Sequence, residues 1–370
     1  MKLLITGICG FVGSTLARYL LNARYGLTIY GLDNLIRQGS ELNRGELLKL
    51  GIKLFHGDIR IQSDFDTLPD VDWLIDAAAN PSVLAGVDGK TSSRQLIEHN
   101  LCGTVNMLEY CKRHQAGFIL ISTSRVYSIK PLSEIDVEVS GNAYRLKENA
   151  ALPQQVVREC NSRTACQGVT PLGVNEQFST IPPLSLYGST KFASEILALE
   201  YGEMFNFPVW INRCGVLAGA GQFGKADQGI FAFWINAYLR RSPLQYIGFG
   251  GHGYQVRDAL HPRDLTPLLL NQMSNTSSQD VPQIINLGGG ITNAMSLAEI
   301  SEWCADRFGW HEILSDPHPR QFDIPWIVMD YSVARQIWDW QPQTSLQQIL
   351  TEIAEHAERN PDWLQISGAL

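Results

Sequence analysis

Residues 6–13 read TGICGFVG and place Gly7, Gly10 and Gly13 between an apolar run and the start of a helical pattern. Glycine permits the tight turn that joins a buried strand to a helix, and it lets a pyrophosphate group and the helix approach the backbone closely. The N-terminus of the helix adds positive potential for an anion. The stretch therefore predicts a strand–turn–helix unit that binds a dinucleotide.

Short apolar runs alternate with helical patterns through the first half of the chain. The predicted strands are KLLIT, LTIYGLD, IKLFHGDI, VDWLIDAAA and GFILISTS, and the clearest helices are FVGSTLARYLL and QLIEHNLCGTVNMLEYCKRH. Apolar strands separated by helices are typical of parallel β-α-β units with helices on both faces of the sheet. We therefore predict an α/β fold with a Rossmann-type, doubly wound parallel sheet.

The alternation changes twice along the chain. Residues 128–180 are polar and lack a sustained period, so we predict a surface insertion near the active face, with one short helix around LPQQVVREC. From Arg213 onward, short strand signals and one clear helix, SLAEISEWCADRFG, lie among more glycine, proline and aromatic residues. We predict a dinucleotide-binding domain over residues 1–212 and a smaller C-terminal α+β substrate-binding region over residues 213–370. Residues 281–290 are expected to return to the first domain.

Composition excludes several classes of protein. The 370 residues are 45% hydrophobic and 18% charged, as in an ordinary globular protein. The net charge of −8 comes without a basic run, which argues against a nucleic-acid partner or an anionic membrane surface. Seven cysteines without C-x-x-C spacing indicate reduced thiols and no metal site. The first apolar run is too short for a signal peptide, and no later run is long enough to span a bilayer, so we predict a cytoplasmic protein.

Acidic residues follow two of the predicted strands. Asp33 comes twenty residues after Gly13, at the end of the second strand, where a carboxylate binds the adenosine ribose hydroxyls and favours NAD over NADP. Arg37 lies nearby and is of the type that binds a 2′-phosphate, so NADP stays open at this point. Asp58 ends the next strand, where its side chain could hold the adenine amino group.

Tyr187 and Lys191 lie four residues apart in YGSTK, so a helix would place them on one face. A nearby ammonium stabilises the phenolate and lowers the pKa of a tyrosine, which makes the phenol a usable acid or base. A solvated helix face is the alternative, but the dinucleotide signature upstream favours the active-site interpretation. Thr123, at the end of the strand GFILIST, is the candidate hydroxyl for the substrate oxygen, with Ser122 and Ser124 as rivals.

Taken together, TGICGFVG, Asp33, GDI, NLCGT, STSRVY and YGSTK resemble the extended short-chain dehydrogenase/reductase family, and more narrowly its NAD-dependent nucleotide-sugar epimerases and dehydratases. The resemblance implies NAD as the cofactor and a nucleotide sugar as the substrate. It also implies a homodimer formed by the helices near residues 95–113 and 186–203, although their apolar faces could equally be intrachain core. The family's catalytic Ser/Thr, Tyr and Lys fall on Thr123, Tyr187 and Lys191.

The resemblance also implies which residues bind the cofactor and which bind the substrate. The implied cofactor-binding residues are Gly7, Gly10, Phe11, Val12, Gly13, Asp33, Asn34, Asp58, Ile59, Ala77, Ala78, Ala79, Asn100, Ser122, Tyr187 and Lys191. In GYQVRDALHPRDL, Arg257 would bind the nucleotide diphosphate, while Asp258, His261 and Asp264 would order the local structure. Arg320, in PRQFDIPWIVMD, is a second candidate for the diphosphate.

The residues after Thr123 bear on which reaction of the family the chain would catalyse. Sugar-nucleotide dehydratases of this family carry an Asp-Glu pair there, whereas this chain has Ser124 and Arg125. That difference favours an epimerase, which inverts a ring carbon through reversible oxidation. The run AGAGQFGKADQGIFAFW is similar to the CDP-tyvelose (CDP-paratose) 2-epimerase subgroup and favours a CDP-sugar. The implied substrate-binding residues are Ser124, Arg125, Gln222, Phe223, Asp227, Gln228, Arg257 and Arg320. A 4-epimerase, a ketoreductase and a non-catalytic NAD sensor are the alternatives.

Overall fold

The computed structural model describes residues 1–87, 89, 92–147, 167–275 and 281–369. Its strands are β1 Lys2–Thr6, β2 Thr28–Asp33, β3 Lys53–His56, β4 Trp73–Asp76, β5 Gly117–Thr123, β6 Val137–Ser140, β7 Ala143–Leu146, β8 Val169–Thr170, β9 Gly173–Val174, β10 Val209–Cys214, β11 Val216–Leu217, β12 Gln245–Ile247, β13 Val256–Leu260, β14 Ile284–Leu287, β15 Ala294–Ser296, β16 Leu314–Asp316 and β17 Trp326–Ile327.

Its α-helices are α1 Phe11–Ala23, α2 Glu41–Lys49, α3 Ser93–Ile97, α4 Gly103–His114, α5 Ile129–Ser133, α6 Leu186–Phe205, α7 Ile230–Leu239, α8 Leu265–Ser274, α9 Leu297–Phe308, α10 Ser332–Trp338, α11 Leu346–Arg359 and α12 Trp363–Ile366. A π-helical turn, Glu98–Cys102, connects α3 to α4.

The central sheet has seven parallel strands in the order β14-β10-β5-β4-β1-β2-β3. Apolar side chains of α1, α8 and α10 pack on one face of this sheet, and those of α4 and α6 pack on the other. The predicted α/β fold with a doubly wound parallel sheet is therefore confirmed. From β1 the chain adds β2 and β3 towards one edge of the sheet, and it then adds β4, β5, β10 and β14 towards the other edge. This change of direction between β1 and β4 opens a crevice at the carboxyl ends of the strands, where ligands bind in such folds.

The last strand of the sheet comes from far along the chain. β14, within the stretch 281–290, pairs with β10 in parallel, with Ile284 opposite Ile211. Another part of the C-terminal region forms a separate core, in which α7, α9 and α11 pack together beside β13. The domain boundaries drawn from the sequence stay a prediction.

The described parts of the stretch 128–180, residues 128–147 and 167–180, pack against the C-terminal region. Leu132, Val174 and Phe178 are buried in one cluster with Trp326 and Met329. β9 is tied to the same segment because the Val174 N–H donates to the Val328 carbonyl at 2.8 Å. Strands of two to four residues are too short to show a period, which is why the sequence indicated only a polar surface insertion. The helix expected around residues 152–160 lies outside the described residues.

Two further expectations concern the whole molecule. Among the helices in the described ranges, none is long and apolar enough to cross a membrane. α4 and α6 contribute to one intrachain core cluster, while Ile196 and Met204 of α6 are exposed. Both helices thus have apolar contacts within the chain, and the homodimer stays a prediction.

Candidate active site

The Gly-rich turn brings the backbone of three elements together. Gly7 has a φ of +63°, and a Cβ at this position would lie 2.8 Å from Ala78 Cα and 2.9 Å from the Ala77 carbonyl oxygen. The Gly7 N–H donates to the Leu32 carbonyl at 2.9 Å, and α1 begins four residues later. A side chain on Gly7 would both strain the turn and push β4 away, so glycine is required here.

Asp33 lies directly beside this turn. Its carboxylate accepts hydrogen bonds from the N–H groups of Cys9 and Leu35, both at 2.8 Å. Burial raises the pKa of Asp33, while the two N–H groups oppose that rise. Arg37, which left the choice between NAD and NADP open, donates its guanidinium to the Phe223 carbonyl and has Asp227 nearby. The Arg37 guanidinium is therefore already engaged with groups of the protein.

A second acidic group lines a cavity at the end of β3. Asp58 accepts hydrogen bonds from Asn34 Nδ2 at 3.0 Å and from Arg60 Nη2 at 2.6 Å. The bonds from Arg60 hold the pKa of Asp58 well below its usual range. The cavity measures about 500 Å³ and is lined by Asn34, Ile36, His56, Gly57, Asp58, Arg60 and Asp64. Arg60 was missed by sequence reasoning, although its place after GDI was a usable signal.

The loop after β4 is anchored by a buried amide. Asn100 accepts a hydrogen bond from the Asn80 N–H at 2.8 Å and donates to the Asn80 carbonyl at 3.1 Å. It also donates to Thr190 Oγ1 at 3.3 Å. Asn100 thus ties the loop that follows Ala77, Ala78 and Ala79 to α6, between Tyr187 and Lys191.

The structure brings Thr123 and Tyr187 together. Thr123 ends β5, Tyr187 lies in the first turn of α6, and the Thr123 hydroxyl is close enough to the phenol to lower its pKa. Ser185 caps α6 by accepting from the Gly188 N–H at 3.0 Å. Gly188 touches the Arg125 carbonyl so closely that a Cβ would not fit. Glycine at position 188 therefore lets the start of α6 reach the turn after β5.

Several neighbouring groups act on the Tyr187 phenol. Burial raises its pKa to about 12, and the Thr123 hydroxyl and the positive charge of Arg125 oppose that rise. Lys191 lies with its Nζ 4.0 Å from a carboxylate oxygen of Asp76, and both side chains are almost completely buried. Asp76 thus supplies a counter-charge to Lys191, and Arg125 is a cation that lowers the pKa of the phenol. The effect of Lys191 on that pKa stays a prediction.

Asp76 was not among the candidate site residues. It ends β4 and accepts hydrogen bonds from the Ala78 N–H at 3.1 Å and from Thr6 and Thr104 Oγ1, each at 3.3 Å. Burial raises its pKa, and Lys191 is the strongest opposing influence. A carboxylate at the end of an apolar strand was the sequence signal for it.

A second buried ion pair lies one turn beyond Lys191. Glu195 of α6 accepts from Arg213 Nη2 of β10 at 2.7 Å and from Ser122 Oγ of β5 at 2.5 Å. Ser122, a rival for the role of Thr123, is therefore engaged with Glu195. The Arg213 guanidinium also lies 5.2 Å from the centre of the Tyr127 ring. This network connects α6 to β5 and β10 beneath the catalytic candidates.

The three arginines predicted for the substrate lie around or within the segment 320–324. Arg320 is part of this segment, and its guanidinium donates to the Ala226 carbonyl at 3.3 Å. Arg257 Nη2 donates to Asp323 at 3.0 Å and to the Ile324 carbonyl at 2.9 Å. Arg125 Nη1 donates to the Phe322 carbonyl at 3.2 Å. Burial, together with the charges of Arg257 and Arg320, lowers the pKa of Arg125 to about 10 despite Asp323. Three guanidinium groups against one carboxylate leave an excess of positive charge that suits an anion.

The predicted substrate residues after β11 form a loop above the sheet. Phe223 is buried and stacked on Trp363, with ring centres 5.3 Å apart. Gln222 Nε2 donates to the Leu217 carbonyl at 2.8 Å, and the Gln228 carbonyl accepts from the Lys225 N–H at 2.7 Å. Asp227 accepts a hydrogen bond from Ser82 Oγ. In this arrangement Asp227 reaches the loop after β4.

Asp258, His261 and Asp264 each bond to backbone of other segments or of their own turn. Asp258 accepts from the Gly290 N–H at 3.2 Å, and burial raises its pKa to about 6. Asp264 accepts from the Thr344 N–H at 2.9 Å. His261 Nδ1 accepts from the Arg263 N–H at 3.1 Å. These contacts are of the kind expected of residues that order local structure.

The sequence of the chain matches one protein family and several individual proteins. A family described as the NAD dependent epimerase/dehydratase family matches residues 3–151 and 132–288. The chain is 29% identical over 359 residues to a CDP-paratose 2-epimerase of Salmonella typhi, covering 93% of this chain and 96% of the relative. It is 24% identical over 372 residues to a UDP-glucuronate 4-epimerase of Thermodesulfobacterium geofontis, covering 96% of each.

Solved structures show the same fold. A UDP-glucuronic acid 4-epimerase from Bacillus cereus, in complex with UDP-glucuronic acid and NAD, superposes with a TM-score of 0.73 at 25% identity, covering 97% of this chain and 99% of the other. A dTDP-glucose 4,6-dehydratase from Bacillus anthracis, in complex with NAD, gives a TM-score of 0.71 at 21% identity, covering 99% of each chain.

Proposed function

The chain belongs to the NAD-dependent epimerase/dehydratase family, and from this premise we propose that it is an NAD-dependent nucleotide-sugar epimerase. The reaction would invert one ring carbon by transient oxidation to a keto sugar. The most specific substrate that we propose is a CDP-deoxyhexose of the paratose/tyvelose type, inverted at C2. The proposal rests on Thr123, which lies beside Tyr187 and is followed in the chain by Ser124 and Arg125 rather than by two carboxylates.

The residues at the carboxyl edge of the sheet fit NAD. Gly7 leaves no room for a side chain at the turn, and Asp33 presents a buried carboxylate beside it. That carboxylate can bind ribose hydroxyls and would repel a 2′-phosphate. Arg37, engaged with Phe223 and Asp227, does not offer a free guanidinium to such a phosphate. When bound, NAD supplies a hydride acceptor that can return the hydride to the substrate.

Tyr187 is the proposed acid/base group. With its pKa near 12 the phenol carries its proton at pH 7, so a further nearby positive charge is needed to make it an effective base. Arg125 already acts in that direction. Thr123 would fix the substrate hydroxyl in line with the phenol, and Lys191, held by Asp76, would bind ribose hydroxyls.

An elimination of water needs an acid and a base beside the sugar. Positions 124 and 125, which follow the catalytic threonine, supply a hydroxyl and a guanidinium instead. Reversible oxidation needs only the Tyr187 proton transfer and the cofactor. This difference favours an epimerase over a dehydratase within the family.

The arginine cluster supports a nucleotide diphosphate as part of the substrate. Guanidinium groups bind phosphate oxygens through paired N–H bonds. Arg257 is paired with Asp323, and the charges of Arg257 and Arg320 act on Arg125, so a diphosphate could replace part of that internal pairing. Preference for CDP and for C2 is supported by the similarity to the CDP-paratose 2-epimerase at 29% identity. A 4-epimerase is the second candidate, because a UDP-glucuronate 4-epimerase matches over 96% of the chain.

A panel of CDP-, UDP-, GDP- and dTDP-sugars, followed by NMR for inversion at each ring carbon, tests the proposal. An epimerase would convert one of them without net consumption of NAD, whereas a ketoreductase would consume added reduced cofactor stoichiometrically. Tyr187→Phe should retain NAD and lose at least ~100-fold in turnover, the scale of one general acid/base group. Near-normal turnover by this variant would remove Tyr187 from the mechanism, and a non-catalytic NAD sensor would leave every sugar unchanged.

A further inference from the structure

We propose that Asp227, with Arg37 and Ser82, forms a clasp across the cofactor crevice that retains the bound dinucleotide. The clasp is defined here as these three residues and the Phe223 carbonyl. The inference rests on the proposed function only in its first part, the binding of NAD. It assigns Asp227 to the cofactor rather than to the sugar.

The strand order places the two ends of the clasp on opposite sides of the Gly-rich turn. β1 lies between β2 and β4, and the turn follows β1. Arg37 comes four residues after the end of β2, and Ser82 comes six residues after the end of β4. A dinucleotide lies along this edge of a doubly wound sheet. Any segment bonded to both loops therefore crosses above the dinucleotide.

One loop of the C-terminal region makes both bonds. The Phe223 carbonyl accepts from the Arg37 guanidinium on the β2 side. Four residues later, the Asp227 carboxylate accepts from Ser82 Oγ on the β4 side. Asp227 also attracts Arg37 electrostatically. Because this one carboxylate acts on both sides, it is the residue on which the closed loop depends most.

The loop is fixed at its base, so the clasp has a firm support. Phe223 is buried, stacks on Trp363 with ring planes 19° apart, and packs against Gly39. The loop after β2 is also bonded directly to the end of the chain, since Gln38 Nε2 donates to the Gln365 carbonyl at 2.9 Å. Ser82 is buried as well. Release of the dinucleotide then requires the Asp227 side to open, because the Phe223 side is held by packing.

The test measures exchange of the cofactor rather than turnover. Holoenzyme is mixed with excess radiolabelled NAD, and the rate at which label enters the protein gives the dissociation rate. Asp227→Asn should exchange at least about tenfold faster than the wild type, since the bond from Ser82 loses its charge assistance and Arg37 loses an attractive charge. Ser82→Ala removes the bond altogether and should also exchange faster. The double variant should exchange more slowly than the product of the two single effects predicts, because both changes act on one interaction.

Asp306→Asn is the matched control, since Asp306 is an exposed carboxylate on α9, and its exchange rate should equal that of the wild type. Unchanged exchange in both Asp227→Asn and Ser82→Ala would overturn the clasp. A rise in the KM for the sugar with unchanged exchange would return Asp227 to the substrate site and overturn it too. Failure to find a sugar substrate leaves the exchange result intact, whereas a wild type that holds no NAD would remove the premise and the clasp together.

Discussion

Replacing Glu195 with glutamine should destabilise the protein strongly and disturb the active site. Glu195 and Arg213 are joined by three contacts of 2.7–3.1 Å, and their side chains are 1% and 5% exposed. Glutamine keeps the size of the side chain and an oxygen acceptor but removes the charge. The buried guanidinium of Arg213 would then have lost its counter-ion.

The structure sets the expected magnitude. Two unit charges about 4 Å apart interact by about 4 kcal/mol at an effective dielectric constant near 20. Loss of one partner of a buried pair costs about 3–5 kcal/mol. The exposed pair between Arg113 and Asp66 has the same 2.7 Å separation but is 45% and 56% exposed. For an exposed pair the expected cost is only about 0–1 kcal/mol.

Urea denaturation at pH 7 compares the two pairs directly. Glu195→Gln should lower the free energy of unfolding by at least about 3 kcal/mol, and Asp66→Asn should lower it by less than about 1 kcal/mol. Turnover should also fall in Glu195→Gln, because Ser122, which adjoins Thr123, would donate its 2.5 Å bond to a neutral amide oxygen instead of a carboxylate. Equal costs in the two variants would refute the argument that burial, rather than distance, decides the strength of the pair.

Two further changes test the electrostatics of the fold. Asp76→Asn keeps an acceptor for Thr6 and Thr104 but leaves Lys191 buried without its counter-charge, so urea denaturation should show a loss of about 3 kcal/mol. A much smaller loss would contradict the ion pair, and a cycle with Lys191→Met should show coupling of similar size. Burial, together with the charge of Arg263, lowers the pKa of His261 from 6.5 to about 4. Because the unfolded chain binds this proton more readily, the neutral imidazole contributes about 3 kcal/mol to the free energy of unfolding. That contribution is complete above pH 6.5 and is lost as the pH falls from 6.5 through 4. His261→Gln should therefore lose less stability than the wild type between pH 7 and pH 4.5, and an equal loss in both would rule out this histidine as a source of acid sensitivity.

The candidate site was predictable where its residues lie close together in the chain. Gly7, Gly10 and Gly13 fall within one turn, and the spacing of Tyr187 and Lys191 follows from one helix. Thr123 could be placed because it ends a strand whose apolar run is evident. These features are local, and local patterns follow from the backbone conformation of a few consecutive residues.

The electrostatic partners were not predictable in the same way. Asp76 and Lys191 are separated by 115 residues, so no spacing rule connects them, and their contact depends on β4 and α6 meeting at the sheet. The expectation that Lys191 lowers the pKa of Tyr187 stays a prediction, and the buried carboxylate of Asp76 that faces Lys191 was not part of it. The insertion was undervalued for a similar reason, since its buried residues Val174 and Phe178 have apolar partners only in the distant segment around Trp326.

By itself the sequence determined the class of fold and the dinucleotide turn, because hydrophobic periodicity and glycine placement are set by short stretches. The trio Thr123, Tyr187 and Lys191, which the family resemblance implied, stays a prediction. Only the tertiary structure decided which charges meet. It paired Lys191 with Asp76, Glu195 with Arg213, and Arg37 with the loop that carries Asp227. The physical reason is that the strength of an ion pair depends on burial and on the nearest opposite charge, and strand order, rather than distance along the chain, sets both.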